Sequence, residues 1–154
     1  MATEIERKFL LKNDNWKKEV LESFAIKQGY LNHDKNRTVR VRLTNKKGFI
    51  TIKGKTEGIS RSEFEYEIPL EDAISLLKIC RKPLIEKVRS LVKKENHIWE
   101  IDEFEGDNLG LTIAEIEITN KNEDFSKPQW LGEEVSEDTR YFNSYLSQHP
   151  FNSW

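Results

Sequence analysis

Charged residues alternate with apolar ones along this chain in segment after segment: Glu4-Ile-Glu6-Arg-Lys8, Arg40-Val-Arg42, Thr51-Ile-Lys53, Glu63-Phe-Glu65-Tyr-Glu67, Lys87-Val-Arg89, Glu100-Ile-Asp102 and Glu115-Ile-Glu117. A period of two is the side-chain period of a β-strand, so each segment carries one charged and one apolar face. An ordinary antiparallel sheet with its polar face in water would produce the same alternation. The sorting of charge by sign argues for something else. Arg40/Arg42 and Lys87/Arg89 are purely basic, whereas Glu63 to Glu67 and Glu115/Glu117 are purely acidic. Like charges two residues apart repel unless opposite charge lies between them, and a solvated face more often mixes Glu with Lys.

Strands are expected at roughly 2–11, 26–32, 37–45, 48–55, 61–69, 85–94, 97–105 and 111–119. Asn45-Lys-Lys-Gly48 and Lys94-Glu-Asn-His97 read as hairpin turns, with Gly48 able to supply a positive φ. Helices are expected from Asp14 to Phe24, where Asp14 can cap and Trp16, Val20 and Leu21 form a stripe, and after Pro69, where Leu70, Ala73, Ile74, Leu77 and Ile79 mark a buried side before Pro83. A third is expected near Thr139 to Ser147, after a loop at Pro128–Gly132. Ile5, Phe9, Val41, Ile52, Phe64, Tyr66, Trp99, Ile101 and Ile116 make up the apolar faces, and they need cover. Helices supply it from outside if eight strands curl and close on themselves. The fold class is therefore α+β, an eight-stranded antiparallel closed barrel with a charged lumen and helices outside, in one domain spanning 1–154.

Composition fits that economy: 36% of residues are hydrophobic and 34% charged, as expected where many inward positions are polar. A net charge of −2, with bases matched locally by acids, excludes a duplex nucleic-acid binder that works by neutralising phosphates. No apolar stretch approaches bilayer length, and the first ten residues already read as a strand rather than a leader, so the expectation is a cytoplasmic protein without a membrane partner. Cys80 is the single cysteine and reads as a buried small hydrophobe. His33, His97 and His149 have no ligand spacing, Arg7 faces away from Glu6 and Lys8, and Glu67 reads as solvated rim.

Lys8, Arg40, Arg42, Lys53, Lys87 and Arg89 in such a lumen could grip several phosphates, the arginines by bidentate forks and the lysines as point charges. Glu4, Glu6, Glu63, Glu65, Asp102, Glu115 and Glu117 would repel the same ligand. A divalent cation between carboxylate and phosphate oxygens resolves the conflict, and Mg²⁺ or Mn²⁺ suits oxygen donors. The pattern thus reads as a metal-dependent polyphosphate site.

The same residues resemble a known family. Glu4-x-Glu6-x-Lys8 is the ExExK signature of the CYTH superfamily, the triphosphate tunnel metalloenzymes. The likeness continues through Gln28-Gly-Tyr30-Leu, Val39-Arg-Val-Arg42, Thr51-Ile-Lys53-Gly, Arg61-Ser-Glu63-Phe-Glu65-Tyr, Lys87-Val-Arg89, Glu100-Ile-Asp102, Ala114-Glu-Ile-Glu117 and Arg140-Tyr-Phe-Asn143-Ser. One ExExK alone is weak, but the ordered set is specific.

The resemblance implies an eight-stranded tunnel that hydrolyses or cyclises triphosphates with Mg²⁺ or Mn²⁺. Glu4, Glu6, Glu115 and Glu117 would inherit the metal, with Asp102 beside them, and the six bases would hold the triphosphate. Lys8 and Tyr30 match a Lys/Tyr pair that assists the attacking water, and Tyr30 shares strand parity with Gln28. The implied reaction is in-line attack by a metal-activated water on a terminal phosphorus. A compact chain of this kind fits an inorganic tripolyphosphatase. Class IV adenylyl cyclase, thiamine triphosphatase and RNA triphosphatase share the same residues, and a non-catalytic polyphosphate or nucleotide sensor would use the same cage. A lipocalin-like carrier is excluded, because it would put Ile5, Val41 and Ile116 inside and both arginines outside. Family members often form dimers, which leaves a homodimer as an open expectation.

Overall fold

A computed structural model describes residues 3–154, so residue 2, where the first predicted strand begins, lies outside the described residues. In chain order the strands are β1 (Thr3–Leu11), β2 (Val20–Tyr30), β3 (Arg37–Thr44), β4 (Lys47–Gly54), β5 (Ser60–Ile68), β6 (Ile85–Lys94), β7 (His97–Phe104), β8 (Thr112–Glu117) and β9 (Leu131–Glu134), with helix α1 (Leu70–Ile79) after β5 and the single turn α2 (Asn143–Leu146) near the end. All pairings are antiparallel, in the order β5-β4-β3-β2-β6-β7-β8-β1, and β5 pairs back onto β1 to close an eight-stranded barrel. β1 is long enough to use one edge twice. Thr3, Glu4 and Ile5 pair with β5, while Phe9 and Leu11 further along pair with β9.

The expected loop at Pro128–Gly132 instead gives way to β9 at Leu131, and the edge position of that strand explains the difference. It has only four residues and no alternation of its own, but the free edge of β1 beyond β5 needs backbone partners, and Val135 donates its N–H to the Lys8 carbonyl at 2.8 Å.

The helix expected from Asp14 to Phe24 is a larger correction. Only Asn15–Glu19 coils, as a 3-10 turn, and Asp14 makes no side-chain cap bond. β2 starts at Val20 and pairs with β6 from Val20↔Val92 through Gln28↔Ile85, with one irregularity between Val20 and Glu22. The ladder along β6 outcompetes a short amphipathic helix that lacks a cap. The predicted C-terminal helix is also broken: Phe142 sits at φ −75, ψ 137, between a 3-10 turn at Thr139–Tyr141 and α2.

The turn at 45–48 forms, but not through glycine. Asn45 and Lys46 hold the positive φ values, 46° and 61°, as a two-residue hairpin loop requires. Gly48 is instead where α1 lies close: a Cβ there would meet the Ala73 Cβ at 2.4 Å.

The outward positions form two apolar clusters. Phe9, Trp16, Val92, Trp99, Ile101, Ala114, Ile116, Ile118, Trp130 and Leu131 cover the β1–β8–β7 wall. Val41, Ala73, Leu77 and Cys80 join β3 to α1. A third cluster lies on inward positions at one end of the barrel: Ile85, Phe104 and Ile113 continue the parities of Lys87, Asp102 and Glu115, and Leu111 and α2's Leu146 complete the plug. This end of the lumen is stoppered with apolar groups.

Candidate functional site

The lumen above that plug is a cavity of about 220 Å³. Seven cations and seven carboxylates line it, with Tyr30, Phe142 and Asn143. Strand register creates these neighbours. Lys8 lies opposite Glu115, Glu6 opposite Glu117, Lys53 opposite Glu63, Arg89 opposite Asp102 and Glu100 opposite Glu115. Residues directly across antiparallel strands are within side-chain reach, so the sorting of charge by strand becomes pairing of opposite charge between most neighbours.

The Lys8 ammonium reaches Glu6 at 2.8 Å and Glu115 at 3.3 Å. Burial opposes its charge, but Glu115 and Glu6 outweigh it and hold the Lys8 pKa above the usual range. The reciprocal effect holds the Glu6 carboxyl down at about 2, with Lys8 overcoming burial. Lys53 binds both oxygens of Glu4 at 3.1 Å and Glu63 at 3.2 Å. Arg40 reaches the Thr51 hydroxyl at 3.2 Å and Glu65 at 3.7 Å, and Thr51 itself donates to Glu65. The Arg40 Nε is buried with no acceptor among the described residues.

Asp102 is wholly buried behind the lumen wall rather than lining it. Arg89 grips it with two bonds of 2.8 and 2.9 Å, and Lys87 joins at 2.7 Å. Burial raises the Asp102 pKa but the Arg89 and Lys87 charges bring it down to about 2. Cations outnumber acids in this corner. Lys87 is pushed down to about 7 by burial, against the pull of Asp102, with Arg89 and Arg42 adding to the fall. Arg42 is lowered to about 9, first by burial and then by Arg40 and Arg89. A polyanion would satisfy this corner.

The opposite imbalance holds at Glu117 and Glu100. Glu117 is raised by burial and by the carboxylates of Glu4, Glu63, Glu100 and Glu6. Glu100 is raised by burial, offset in part by Arg89, with Glu115, Asp102 and Glu6 reinforcing the rise. Crowded carboxylates short of cations, with no thiolate or imidazole among them, are a hard-oxygen donor set that fits Mg²⁺ or Mn²⁺. As the side chains stand, no three acidic, His or Cys groups among the described residues are gathered closely enough to hold an ion. Lys53 draws Glu4 away, and Lys8 draws Glu6 and Glu115. A cation held by Glu4, Glu6 or Glu115 would have to displace these lysine partners.

Every residue assigned to the site from the sequence lines the cavity except Asp102. Sequence reasoning left out Glu100 and Arg61, although both share the inward parity of residues it chose. Gln28 has no assigned role from the sequence, and Asn143, with Tyr141, is expected only to dock the C-terminal helix across one tunnel mouth. The Asn143 Oδ1 accepts from Gln28 and from Lys87, each at 3.0 Å, and Gln28 accepts from the Arg42 Nε at 2.8 Å. This chain of bonds ties the C-terminal segment to the cationic corner. No periodicity marks Phe142 or Asn143, because they enter the lumen from a kink rather than a strand.

The model of the CYTH domain matches residues 2–147. The chain belongs to the CYTH family. It is 46% identical to an inorganic triphosphatase of Acetivibrio thermocellus, over 100% of this chain and 99% of that protein. It is 33% identical to an inorganic triphosphatase of Nitrosomonas europaea, over 94% and 97% of the two chains. The crystal structure of an inorganic triphosphatase superposes with a TM-score of 0.70 at 31% identity, covering 96% of this chain and 95% of that one. The closed barrel is thus the CYTH tunnel, as the ExExK resemblance implied.

Proposed function

We propose that this CYTH protein hydrolyses inorganic tripolyphosphate with Mg²⁺ or Mn²⁺, releasing phosphate. The observation that carries the proposal is the division of one lumen into a corner with excess cation and a rim with excess carboxylate. The names of the full-length relatives support the same reading.

Arg40, Arg42 and Arg89 orient the phosphate chain through their planar donors, and Lys53 and Lys87 add point charge. Asp102 and Asn143 hold Arg89 and Lys87 from behind, so Asp102 is assigned as a positioning residue rather than a metal ligand. Glu4, Glu6, Glu115 and Glu117 would hold the cation, and Glu63 and Glu65 set Lys53 and Arg40. When bound, the divalent cation supplies charge neutralisation at the phosphate oxygens and makes water a better nucleophile. Lys8 stays protonated between Glu6 and Glu115, so it does not take a proton from water. An ammonium has three donors, and the one left over can orient the attacking water or a phosphate oxygen. Tyr30 faces the same cavity from β2, four strands away around the barrel.

A cytoplasmic setting belongs to the same proposal; no described helix is long and apolar enough to cross a membrane. So does a homodimer, which would use the exposed strip of Ile52, Phe64 and Tyr66.

The test is phosphate release from tripolyphosphate, ATP and thiamine triphosphate, each with Mg²⁺, Mn²⁺ or chelator, while pyrophosphate and cyclic AMP are followed in the ATP samples. Metal-dependent release that favours tripolyphosphate is expected. Pyrophosphate with cyclic AMP would make the protein a cyclase, and inertness toward all three would sink the hydrolase reading.

A further inference from the structure

A second cavity, of about 450 Å³, opens at the stoppered end of the barrel between the β2–β3 loop, the β4–β5 loop and the C-terminal segment. Its walls carry Lys35, Lys55, Arg61 and His33, with hydroxyl and amide groups and the aromatic rings of Phe142 and Tyr145, and no carboxylate among the described residues lines it. That is the reverse of the lumen, where seven carboxylates stand among the cations. The two cavities share Arg61 and Phe142. The Arg61 guanidinium lies 5.8 Å from the centre of the Phe142 ring and reaches Glu4 at 3.5 Å. The axial route through this end is filled by Ile85, Phe104, Ile113 and Leu146. A ligand that leaves the lumen at this end therefore passes beside Arg61 and Phe142.

We infer that this second cavity binds the distal phosphates of linear oligophosphates longer than three units while the first three occupy the lumen. The inference rests on the proposed triphosphatase reading. An acid-free cationic pocket needs no metal to accept an anion, so the distal phosphates are held by Lys35, Lys55 and Arg61 directly, with hydroxyl donors such as Thr56. Arg61 belongs to both cavities and keeps the chain continuous between them. A nucleoside is the less suitable occupant, because Lys35 and Lys55, with Arg61 only distantly paired to Glu4, favour further phosphate over a neutral base and sugar.

The experiment compares kcat/KM for tripolyphosphate, tetrapolyphosphate and ATP in the wild type, the double variant Lys35→Ala/Lys55→Ala and its Lys→Arg counterpart. Both lysines are exposed, so the substitutions leave the packing intact. The wild type should favour tetra- over tripolyphosphate by about tenfold, the size of one charge-assisted contact. The alanine variant should lose that preference through KM, with tripolyphosphate kinetics within about twofold of wild type, and the arginine variant should regain it. An unchanged tetra-to-tripolyphosphate ratio, with tripolyphosphate still turned over, overturns the subsite alone. Loss confined to ATP overturns it in favour of a nucleoside pocket. Absence of tripolyphosphate turnover in the wild type removes the triphosphatase reading, and the subsite with it.

Discussion

The two walls of the barrel differ in thickness. Behind the acidic residues of β1, β7 and β8, the outer face carries Trp99, which is fully buried and meets Trp130 edge-to-face at 5.7 Å and Phe9 at 5.6 Å. Behind Lys53, Glu63 and Glu65 on β4 and β5, the outer face carries Ile52, Phe64 and Tyr66, 40%, 45% and 58% exposed. Both walls alternate charge with apolar side chains, and both point the charge inward. The difference is what the chain lays over them: on one side the 3-10 turn with Trp16 and the segment from Phe125 to Leu131, on the other α1, which reaches β3 and β4 but leaves the β4–β5 strip open. Alternation decides which side is inside. It says nothing about the depth of cover outside.

If the thick wall carries the stability, Trp99→Ala should lower the unfolding free energy by about 3–5 kcal/mol, whereas Phe64→Ala should cost about 1 kcal/mol or less. Urea unfolding of both variants checks this, and equal costs would erase the distinction between the walls. The inner faces should differ in function as the outer ones do in packing. Glu115→Gln is expected to lower metal-dependent turnover about 100-fold or more with a native circular dichroism spectrum, and Glu65→Gln about tenfold or less, since the first removes an assigned cation ligand and the second only a partner of Arg40. Full activity in Glu115→Gln would refute the ligand assignment.

Arg40→Ala should weaken tripolyphosphate binding by about 10- to 100-fold, the loss of a charged hydrogen bond, while Arg7→Ala, paired outside the barrel with Glu134 at 2.6 Å, should leave it within about twofold. Titration calorimetry separates the two; equal affinities would mean the inward parity of β3 is misassigned.

The smallest effect concerns Lys87, on the strand between the walls. Its pKa of about 7 lies below the ordinary lysine value of 10.5, so at pH 8 the free protein holds it mostly neutral. A bound polyanion favours the ammonium and raises that pKa, so binding at pH 8 should take up about one proton, falling toward none below pH 6, where Lys87 is already charged. The same shift makes the charged lysine a cost to the free fold below pH 7, relieved as pH rises from 7 toward 10.5. Calorimetry in buffers of different ionisation enthalpy measures the uptake, and the Lys87→Ala variant should lose it.

Much of the site was legible before any coordinates because strand parity is a local property: Glu4, Glu6 and Lys8 must share a face if the segment is extended, and so must Arg40 and Arg42. The same rule, carried one step further, reaches Glu100 from Asp102 and Arg61 from Glu63. Asp102 shows where parity stops. It points inward like Glu100, yet Arg89 and Lys87 close over it, and its exposure depends on neighbours from β6 that no spacing within β7 reveals.

The periodic segments thus carried the barrel, its charged interior and the residue types of a metal and polyphosphate site, since alternation and sign are written residue by residue. The remainder came from contacts between distant segments. β6 drew Val20 to Phe24 out of a helical pattern, and the free edge of β1 made a strand of Leu131–Glu134. The plug of Ile85, Phe104, Ile113 and Leu146, and the kink that brings Phe142 and Asn143 to the lumen, join four regions of the chain. Backbone hydrogen bonding and apolar burial are satisfied by whatever partner the fold supplies, so these features could be decided only once the barrel had closed.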